Sequence, residues 1–422
     1  MTKEIQPGVY FHLIPTQQFK TIRIYIRFSA RQDGQQAAAR TLLTSLLETN
    51  SQKYPTQTAL SSELAELYGA SFGVSMNKKG TLHQVNLSMN LVNGKYLGVD
   101  QLLDRATDFI KEILFAPNIQ AGHFDEGTFA TEKENLTAYL KSIAEDKQAY
   151  AAQELQGLFF QGDEDQKVPS YGTLASLATL TSQDLVATYE KMLQEDQVDV
   201  FLVGDVTESD GERFMAALPF SATSRVHPEI FYYPKTDNVI AEKQEQEPLT
   251  QSKLNLGYAM DVYYGQPERF ALMVFNGLFG GFPHSRLFLN VREKESMAYY
   301  ASSSYDTFRG FVNVQTGIDG DNRERVLHLI AQQLESLQQG QITPEELAQT
   351  KAMLKNSFLL SLDNPQALIE ASYLDNWLPE AAMSDEEILA GIDQVTKAEV
   401  QAIAQKLQLK AVYFLKGAGK HA

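Results

Sequence analysis

The sequence predicts an α+β protein made of two homologous halves, each an antiparallel sheet covered by helices. Three observations carry that reading. Short stretches in both halves alternate apolar and polar residues, the period of half-buried strands. Amphipathic segments of helical period stand between them. The chain also repeats itself: Ile392-Asp-Gln-Val-Thr-Lys-Ala-Glu-Val400 follows the pattern of Leu177-Ala-Thr-Leu-Thr-Ser-Gln-Asp-Leu185, and Val412-Tyr-Phe-Leu415 follows Val200-Phe-Leu-Val203, an offset of about 215 residues. Two such halves joined by a linker predict a clam shell around a central cavity.

In the first half, residues 1–225, Ile22, Ile24, Ile26 and Phe28 mark a strand over Thr21 to Phe28. A helix follows from Gln36 to Leu47. Tyr54-Pro55-Thr56 starts another, whose Leu60, Leu64, Leu67 and Tyr68 share a face and which Gly69 ends. Phe72 to Met76 and Val85 to Leu91 read as antiparallel strands, Asp104 to Leu114 as a helix, and Phe124 to Leu158 as one long helical region. Thr181-Ser-Gln-Asp184 is a capping box for a helix to about Leu193, and the strand Val200 to Val203 closes the half. Residues 226–250 read as the linker, with Pro228, Pro234 and the polar run Glu242 to Glu247.

The second half, residues 251–422, returns the same order. Leu254 to Met260 alternates as the first strand does, Phe270 to Phe279 takes the place of the first helix, and Gly280-Gly281 reads as its C-cap. Met297 to Ser304 and Phe311 to Thr316 are the middle strands, Asn322 to Leu337 is a helix, and Thr343-Pro344-Glu345-Glu346 starts another.

Composition narrows the function. With 422 residues, 43% hydrophobic and 21% charged, the chain suits a soluble globular protein with more than one core. A net charge of -17 sets a repulsive field against nucleic acid. Cysteine is absent, which removes disulfides, thiolate metal ligands and a cysteine nucleophile. No apolar run approaches a membrane span or a signal-peptide core, so the expectation is a cytoplasmic protein with neither membrane nor nucleic acid as partner. Other chemistries lack their motifs. Gly280-Gly281 has no Gly-Lys-Ser/Thr ending for a phosphate loop, and no Gly-x-Ser-x-Gly elbow is present. None of the seven histidines stands three to five residues from another; His123-Phe-Asp-Glu126 offers one imidazole and one carboxylate, more in keeping with a loop contact. Glu132 and Glu134 read as a solvated helix face.

The most specific stretch is Ser285 to Tyr300, Ser-Arg-Leu-Phe-Leu-Asn-Val-Arg-Glu-Lys-Glu-Ser-Met-Ala-Tyr-Tyr. Leu287, Phe288 and Val291 are spaced for a helix, and Tyr299 follows Arg292 by about two helical turns. A guanidinium fork and a phenol together suit a peptide carbonyl or a developing oxyanion. On residue types alone a solvated arginine beside Glu293 and Glu295 and a tyrosine capping a core are far the commoner arrangement.

A duplicated α+β chain with Gly280-Gly281, Ser285-Arg-Leu-Phe288 and Val291 to Tyr300 resembles the pitrilysin and mitochondrial processing peptidase family, and most of all a bacterial branch that lacks the zinc motif. The resemblance covers nearly the whole chain. It implies that Arg292 and Tyr299 help hold substrate at a zinc ion bound by the first half. Active members carry His-x-x-Glu-His on the first helix, where Thr41, Thr44 and Ser45 stand here. A third ligand, a glutamate about two turns after a Phe-x-x-Glu-Lys sequence, falls on Tyr139 after Phe129-Ala-Thr-Glu132-Lys133. Hydroxyls are poor zinc ligands, and threonine is no general base near neutral pH. The resemblance therefore implies no metal, no cofactor and no activity of this chain alone. It implies an accessory subunit that offers Arg292 and Tyr299 to a peptide or unfolded protein segment, in a hetero-oligomer with a zinc-bearing homologue or in a homodimer, with an association to elongation factor P modification by family naming. A binding scaffold without a peptidase role and a stand-alone zinc peptidase with another metal site are the alternatives.

Overall fold

The computed structural model describes residues 1–235 and 238–418, and these form two compact units. The first comprises Met1–Lys141, Val168–Ile230 and Leu362–Trp377; the second comprises Ser142–Lys167, Phe231–Ser361 and the chain from Leu378 onward. Neither unit is one continuous half. Each takes in a helical segment from the other half of the sequence.

The first unit holds β1 (Thr2–Gln6), β2 (Val9–Pro15), β3 (Thr21–Arg31), β4 (Ser71–Lys79), β5 (Leu82–Val92), the short pair β6 (Ile119–Gln120) and β7 (His123–Phe124), and β8 (Gln197–Gly204). Six of them form a sheet in the order β1-β2-β8-β3-β5-β4. The second unit holds β9 (Ala241–Glu247), β10 (Ser252–Ala259), β11 (Ala298–Asp306), β12 (Phe311–Ile318) and β13 (Gln408–Gly417), in the order β11-β12-β10-β13-β9. Reading both sheets from the same edge gives β4-β5-β3-β8-β2 and β11-β12-β10-β13-β9, so the duplication is complete at the level of strand order, with β1 added to the first copy. The expectation of purely antiparallel sheets is corrected in both copies: β2 runs parallel to β8 and β9 parallel to β13. In each, the entering strand lies beside the last strand of its unit, and the long connection between them leaves its direction free.

Two strands of this pattern escaped the periodicity. In β2, Val9, Phe11 and Leu13 alternate as expected, but His12 on the opposite face is fully buried as well. In β9, the run Ala-Glu-Lys-Gln-Glu-Gln-Glu lies in the stretch read as linker, and its ladder with β13 makes it a strand. The single helical region expected over Phe124 to Leu158 is two helices, Glu126–Glu145 and Lys147–Phe159. The break falls at Asp146, whose carboxylate accepts from the Gln148 and Ala149 amides and starts the second helix anew.

One face of the first sheet carries Ile22, Ile24, Ile26 and Phe28 of β3 into an apolar core; the other carries Arg23, Tyr25, Arg27 and Ser29. The helix Pro365–Trp377 covers that second face. Arg23 donates to Gln366 at 3.2 Å, Arg27 to Glu370 at 2.9 Å, and Ser29 lies 3.4 Å from the Tyr373 hydroxyl. The strand residues recur on one face at period two and the helix residues at i, i+4 and i+7, so one element runs along the other. Burial alone would raise the Glu370 carboxyl; Arg27 and Lys79 outweigh it and hold it down at about 2. The helix end is fixed by Asp199 of β8, which sits 2.9 Å from His12 Nε2 and accepts from Trp377 Nε1 at 3.1 Å and Asn376 at 3.2 Å. His12 stacks on Phe201, ring centroids 4.2 Å apart, and its Nδ1 lies 3.1 Å from Ser372 Oγ.

The second unit covers the matching face with the helix Lys147–Phe159. Ala151, Leu155 and Phe160 pack with Phe311, Ala411, Tyr413 and Leu415 in a buried cluster, and Phe159 meets Phe311 at 4.5 Å between centroids. Polar contacts rim it: Lys243 pairs with Glu154 at 2.6 Å, and the Tyr150 and Tyr413 hydroxyls both donate to Glu245. The alternating side chains of β9 thus grip this helix.

Asp199→Ala takes the shared acceptor from His12, Asn376 and Trp377 at once, and His12 and Trp377 are buried. It is expected to lower stability by about 3–5 kcal/mol, read as a shift of the urea unfolding midpoint. A shift under about 1 kcal/mol, the range of an exposed pair, would show that Asp199 does not fix the helix.

Candidate functional site

The helix Ala37–Thr49 in the first unit carries the positions where zinc ligands were sought, and the Thr41 and Thr44 hydroxyls there are occupied by backbone carbonyls. Thr41 Oγ1 donates to the Ala37 carbonyl at 2.9 Å and lies 3.3 Å from the Ser170 carbonyl oxygen. Thr44 Oγ1 donates to the Thr41 carbonyl at 2.7 Å. Both are buried and Ser45 is half-buried. Tyr139, on the helix Glu126–Glu145, is 51% exposed and meets the Tyr171 ring edge-on at 6.1 Å.

Residues 168–172 cover the start of the Ala37–Thr49 helix. Gly172 allows this: its φ is +78°, and a Cβ there would stand 2.5 Å from the Ala38 nitrogen. Ser170 is held from a second side, its carbonyl oxygen 2.9 Å from His83 Nε2. His83 Nδ1 in turn accepts from Arg40 Nε at 3.0 Å, and Arg40 Nη2 donates to Asp196 at 2.7 Å. Those contacts assign the neutral tautomer, with the proton on Nε2. Burial pushes the His83 imidazole down, and the Arg40 guanidinium adds to it, from 6.5 to about 3. For Asp196, burial pushes the carboxyl up and Arg40 opposes it.

Zinc, which the family resemblance brings into view, does not fit these residues. Two threonine hydroxyls committed to backbone carbonyls, a serine hydroxyl and an exposed phenol offer no imidazole or carboxylate donor set. Among the described residues no group of three or more His, Asp or Glu side chains is placed to hold a metal ion anywhere. His421 lies outside the described residues. His123 Nδ1 sits 3.3 Å from Ser182 Oγ and 3.9 Å from Glu126, a loop contact. Glu132 accepts from Thr49 at 3.2 Å and from Asn135 at 3.3 Å.

In the second unit the motif around Arg292 takes a shape the spacing did not predict. Gly277–Gly281 and Leu287–Lys294 are wide, π-helical turns. Gly280 and Gly281 form no left-handed cap. A Cβ on Gly280 would stand 2.5 Å from the Ser303 nitrogen, so the glycine is there to let the turn lie against β11. The helix stops at Ser296, which takes φ +51°, and the chain enters β11 at Ala298. Tyr299 therefore sits at the start of a strand rather than on a helix, at the irregularity between Ala298 and Tyr300, which pair with Ile318 and Gly317 of β12. Arg292 is 39% exposed, lies over the Phe288 ring at 4.4 Å and pairs with Glu293 at 3.4 Å. Tyr299 is 53% exposed and donates to Asp319 at 3.0 Å; that carboxylate raises the phenol above its ordinary value.

Sequence reasoning missed the buried Arg40, His83 and Asp196. One signal was present: Arg40 interrupts an otherwise small and apolar helix face, Ala37-Ala-Ala-Arg-Thr-Leu-Leu, where a buried arginine requires an acid.

Two α+β units of matching strand order, with no zinc donor set among the described residues, define a peptidase-like fold. The chain belongs to the M16 peptidase family. The family described as "Peptidase M16 inactive domain" matches residues 179–354. The chain is 32% identical to the "Probable inactive metalloprotease YmfF" of Bacillus subtilis (strain 168), over 97% of this chain and 96% of the relative. It is also similar to the crystal structure of a conserved protein from Enterococcus faecalis V583, at 53% identity and a TM-score of 0.96, covering 100% of this chain and 99% of that one. The crystal structure of a peptidase M16 inactive domain from Pseudomonas fluorescens shares the fold at 18% identity and a TM-score of 0.79, over 99% and 98% of the two chains.

His83 makes the packing at the start of the Ala37–Thr49 helix sensitive to acid. Its folded pKa lies below the unfolded value, so the unfolded chain binds the extra proton and stability falls as pH drops from about 6.5 toward 3. At up to about 1.4 kcal/mol per pH unit, the parent is expected to lose about 2 kcal/mol more between pH 6.5 and 5 than His83→Gln. The glutamine keeps one acceptor and one donor and does not titrate. Urea midpoints at the two pH values check this; equal losses would show that His83 is not held neutral.

Proposed function

We propose that this chain is catalytically silent alone and acts as the accessory, non-zinc subunit of a peptidase assembly, offering Arg292 and Tyr299 to a peptide whose scissile bond is cleaved at a zinc-bearing homologue. One contrast carries the reading: Thr41 and Thr44 are buried and bonded to backbone, while Arg292 and Tyr299 stand exposed. The Arg292 guanidinium rests on an aromatic ring and keeps N–H donors beyond its contact with Glu293, and the Tyr299 phenol would exchange Asp319 for a peptide carbonyl as the acceptor of its one hydrogen. Elongation factor P modification, implied by the family resemblance alone, is the setting in which we place the pair.

The experiment is a tagged pull-down from the native cells, followed by peptide hydrolysis with the recovered assembly. A homologue with intact His-x-x-Glu-His in near-equal amount is expected, with hydrolysis that this chain alone does not show. Arg292→Ala should lower kcat/KM of the assembly by about 10–100-fold and Tyr299→Phe by about 3–10-fold, the loss of a charged and of a neutral hydrogen bond, without reducing assembly. Unchanged rates in both variants would defeat the proposal. Peptide capture without turnover by this chain and its native partners would favour a binding scaffold, and chelator-sensitive cleavage by the purified chain alone would favour a stand-alone peptidase.

A further inference from the structure

Three helices of the second unit, Arg269–Asn276, Asp385–Gln394 and Lys397–Lys406, leave a groove of about 770 Å³ between them. Phe270, Ala271, Val395, Ala402 and Ile403 give it apolar walls. Arg269 also lines it and is only 7% exposed. Its guanidinium lies over the Tyr264 ring at 4.6 Å and the Phe270 ring at 4.9 Å, which fixes its plane. Nη2 donates to the Met383 sulfur at 3.0 Å, and Nη1 has no hydrogen-bond partner. Among the described residues no carboxylate pairs with this arginine, in contrast to the buried Arg27 and Arg40, which both have one.

A buried cation with one empty donor and one thioether acceptor lacks the anion that would offset its desolvation. A thioether is a weak acceptor, and Met383 stands in the short exposed stretch before the Asp385–Gln394 helix, on a side chain with several rotatable bonds. It is a replaceable cover. The rim decides the charge of what replaces it. Glu268, Glu387 and Glu399 line the groove, with the Glu387 and Glu399 carboxylates bonded to the backbone amides of Ser384 and Thr396, and Lys406 stands at the groove with Asp261 3.3 Å away. That rim disfavours phosphate and other polyanions but tolerates a single negative charge on a mostly apolar body.

We propose that this groove binds a small monocarboxylate with an apolar tail, whose carboxylate displaces Met383 from Arg269 and whose tail lies along Phe270, Ala402 and Ile403. The site is separate from Arg292 and Tyr299 in sequence and in partners, and its fate leaves the peptidase reading untouched. The probe is sodium octanoate, titrated calorimetrically into the full chain alongside octan-1-ol and octylamine. Octanoate is expected to bind one to one and at least about ten-fold more tightly than either control. Arg269→Met should weaken octanoate by about ten-fold or more and leave octan-1-ol unchanged. Met383→Ala should tighten octanoate. Should Arg269→Met fail to fold, Ala402→Phe decides, since it fills the groove from an exposed wall position and should weaken octanoate and octan-1-ol alike. No saturable octanoate binding into the millimolar range, equal binding of octanoate and octan-1-ol, or parent-like octanoate binding by Ala402→Phe would each overturn the proposal.

Discussion

The ion pair between Arg27 and Glu370 states the constraint on which the first unit depends. A sheet of this topology has two faces to cover, and in the first unit one of them carries Arg23, Arg27, Ser29, Asn86 and Asp199. An apolar helix laid on that face would leave a row of unpaired donors and one buried carboxylate. Only a helix with matching polar groups can close it, and that helix, Pro365–Trp377, lies far along the chain. The first copy of the duplication therefore cannot bury its own sheet with its own sequence.

The two copies meet the same demand with different chemistry. In the first, charge does the closing: Arg27 sits over the Tyr373 ring at 4.3 Å while pairing with Glu370, and Asp199 gathers donors from three other side chains. In the second, aromatic and aliphatic packing does it, with Lys243, Glu154 and Glu245 at the partly exposed rim. Buried ion pairs contribute little net stability against an apolar substitute, because desolvation consumes much of the attraction. Their effect here is register. A one-residue slip of Pro365–Trp377 along β3 would unpair Gln366, Glu370 and Tyr373 together, whereas an apolar face would tolerate it better.

Much of this was legible in the sequence, and the rest was hidden for physical reasons. Strands such as β3 and β5 and helices such as Arg323–Gln338 declared themselves because one face is apolar and the other is not, and the pattern shared by Leu177–Leu185 and Ile392–Val400 revealed the duplication. Periodicity does not say which sheet a helix covers. The Pro365–Trp377 and Lys147–Phe159 helices each carry both apolar and polar contacts, and their destinations depend on pairs separated by more than 80 residues, such as Arg27 with Glu370 and Lys243 with Glu154. The strand β9 was hidden by its composition, since Glu, Lys and Gln in alternation look like a linker until the ladder with β13 and the rim of ion pairs are in view. At the site, the hydroxyls of Thr41, Thr44 and Ser45 could be read directly. What surrounds them could not, because His83, Ser170 and Asp196 converge only through the fold.

That arrangement has its own logic. A vacated ligand set would leave imidazoles and a carboxylate facing one another in a buried position, with desolvation to bear and no cation to balance it. Threonine at positions 41 and 44 removes that conflict, since each hydroxyl donates to a carbonyl of its own helix. The neighbouring charge, Arg40, is then free to close against Asp196 and His83, and residues 168–172 settle onto the helix through Gly172. Each step relies on the one before: the loop carbonyl of Ser170 is shared by Thr41 and by a His83 kept neutral by burial and Arg40. An imidazole at 41 would thus place a bulky group against a loop that Gly172 and His83 already hold shut, so the packing around this helix excludes a ligand there as firmly as its side chains do.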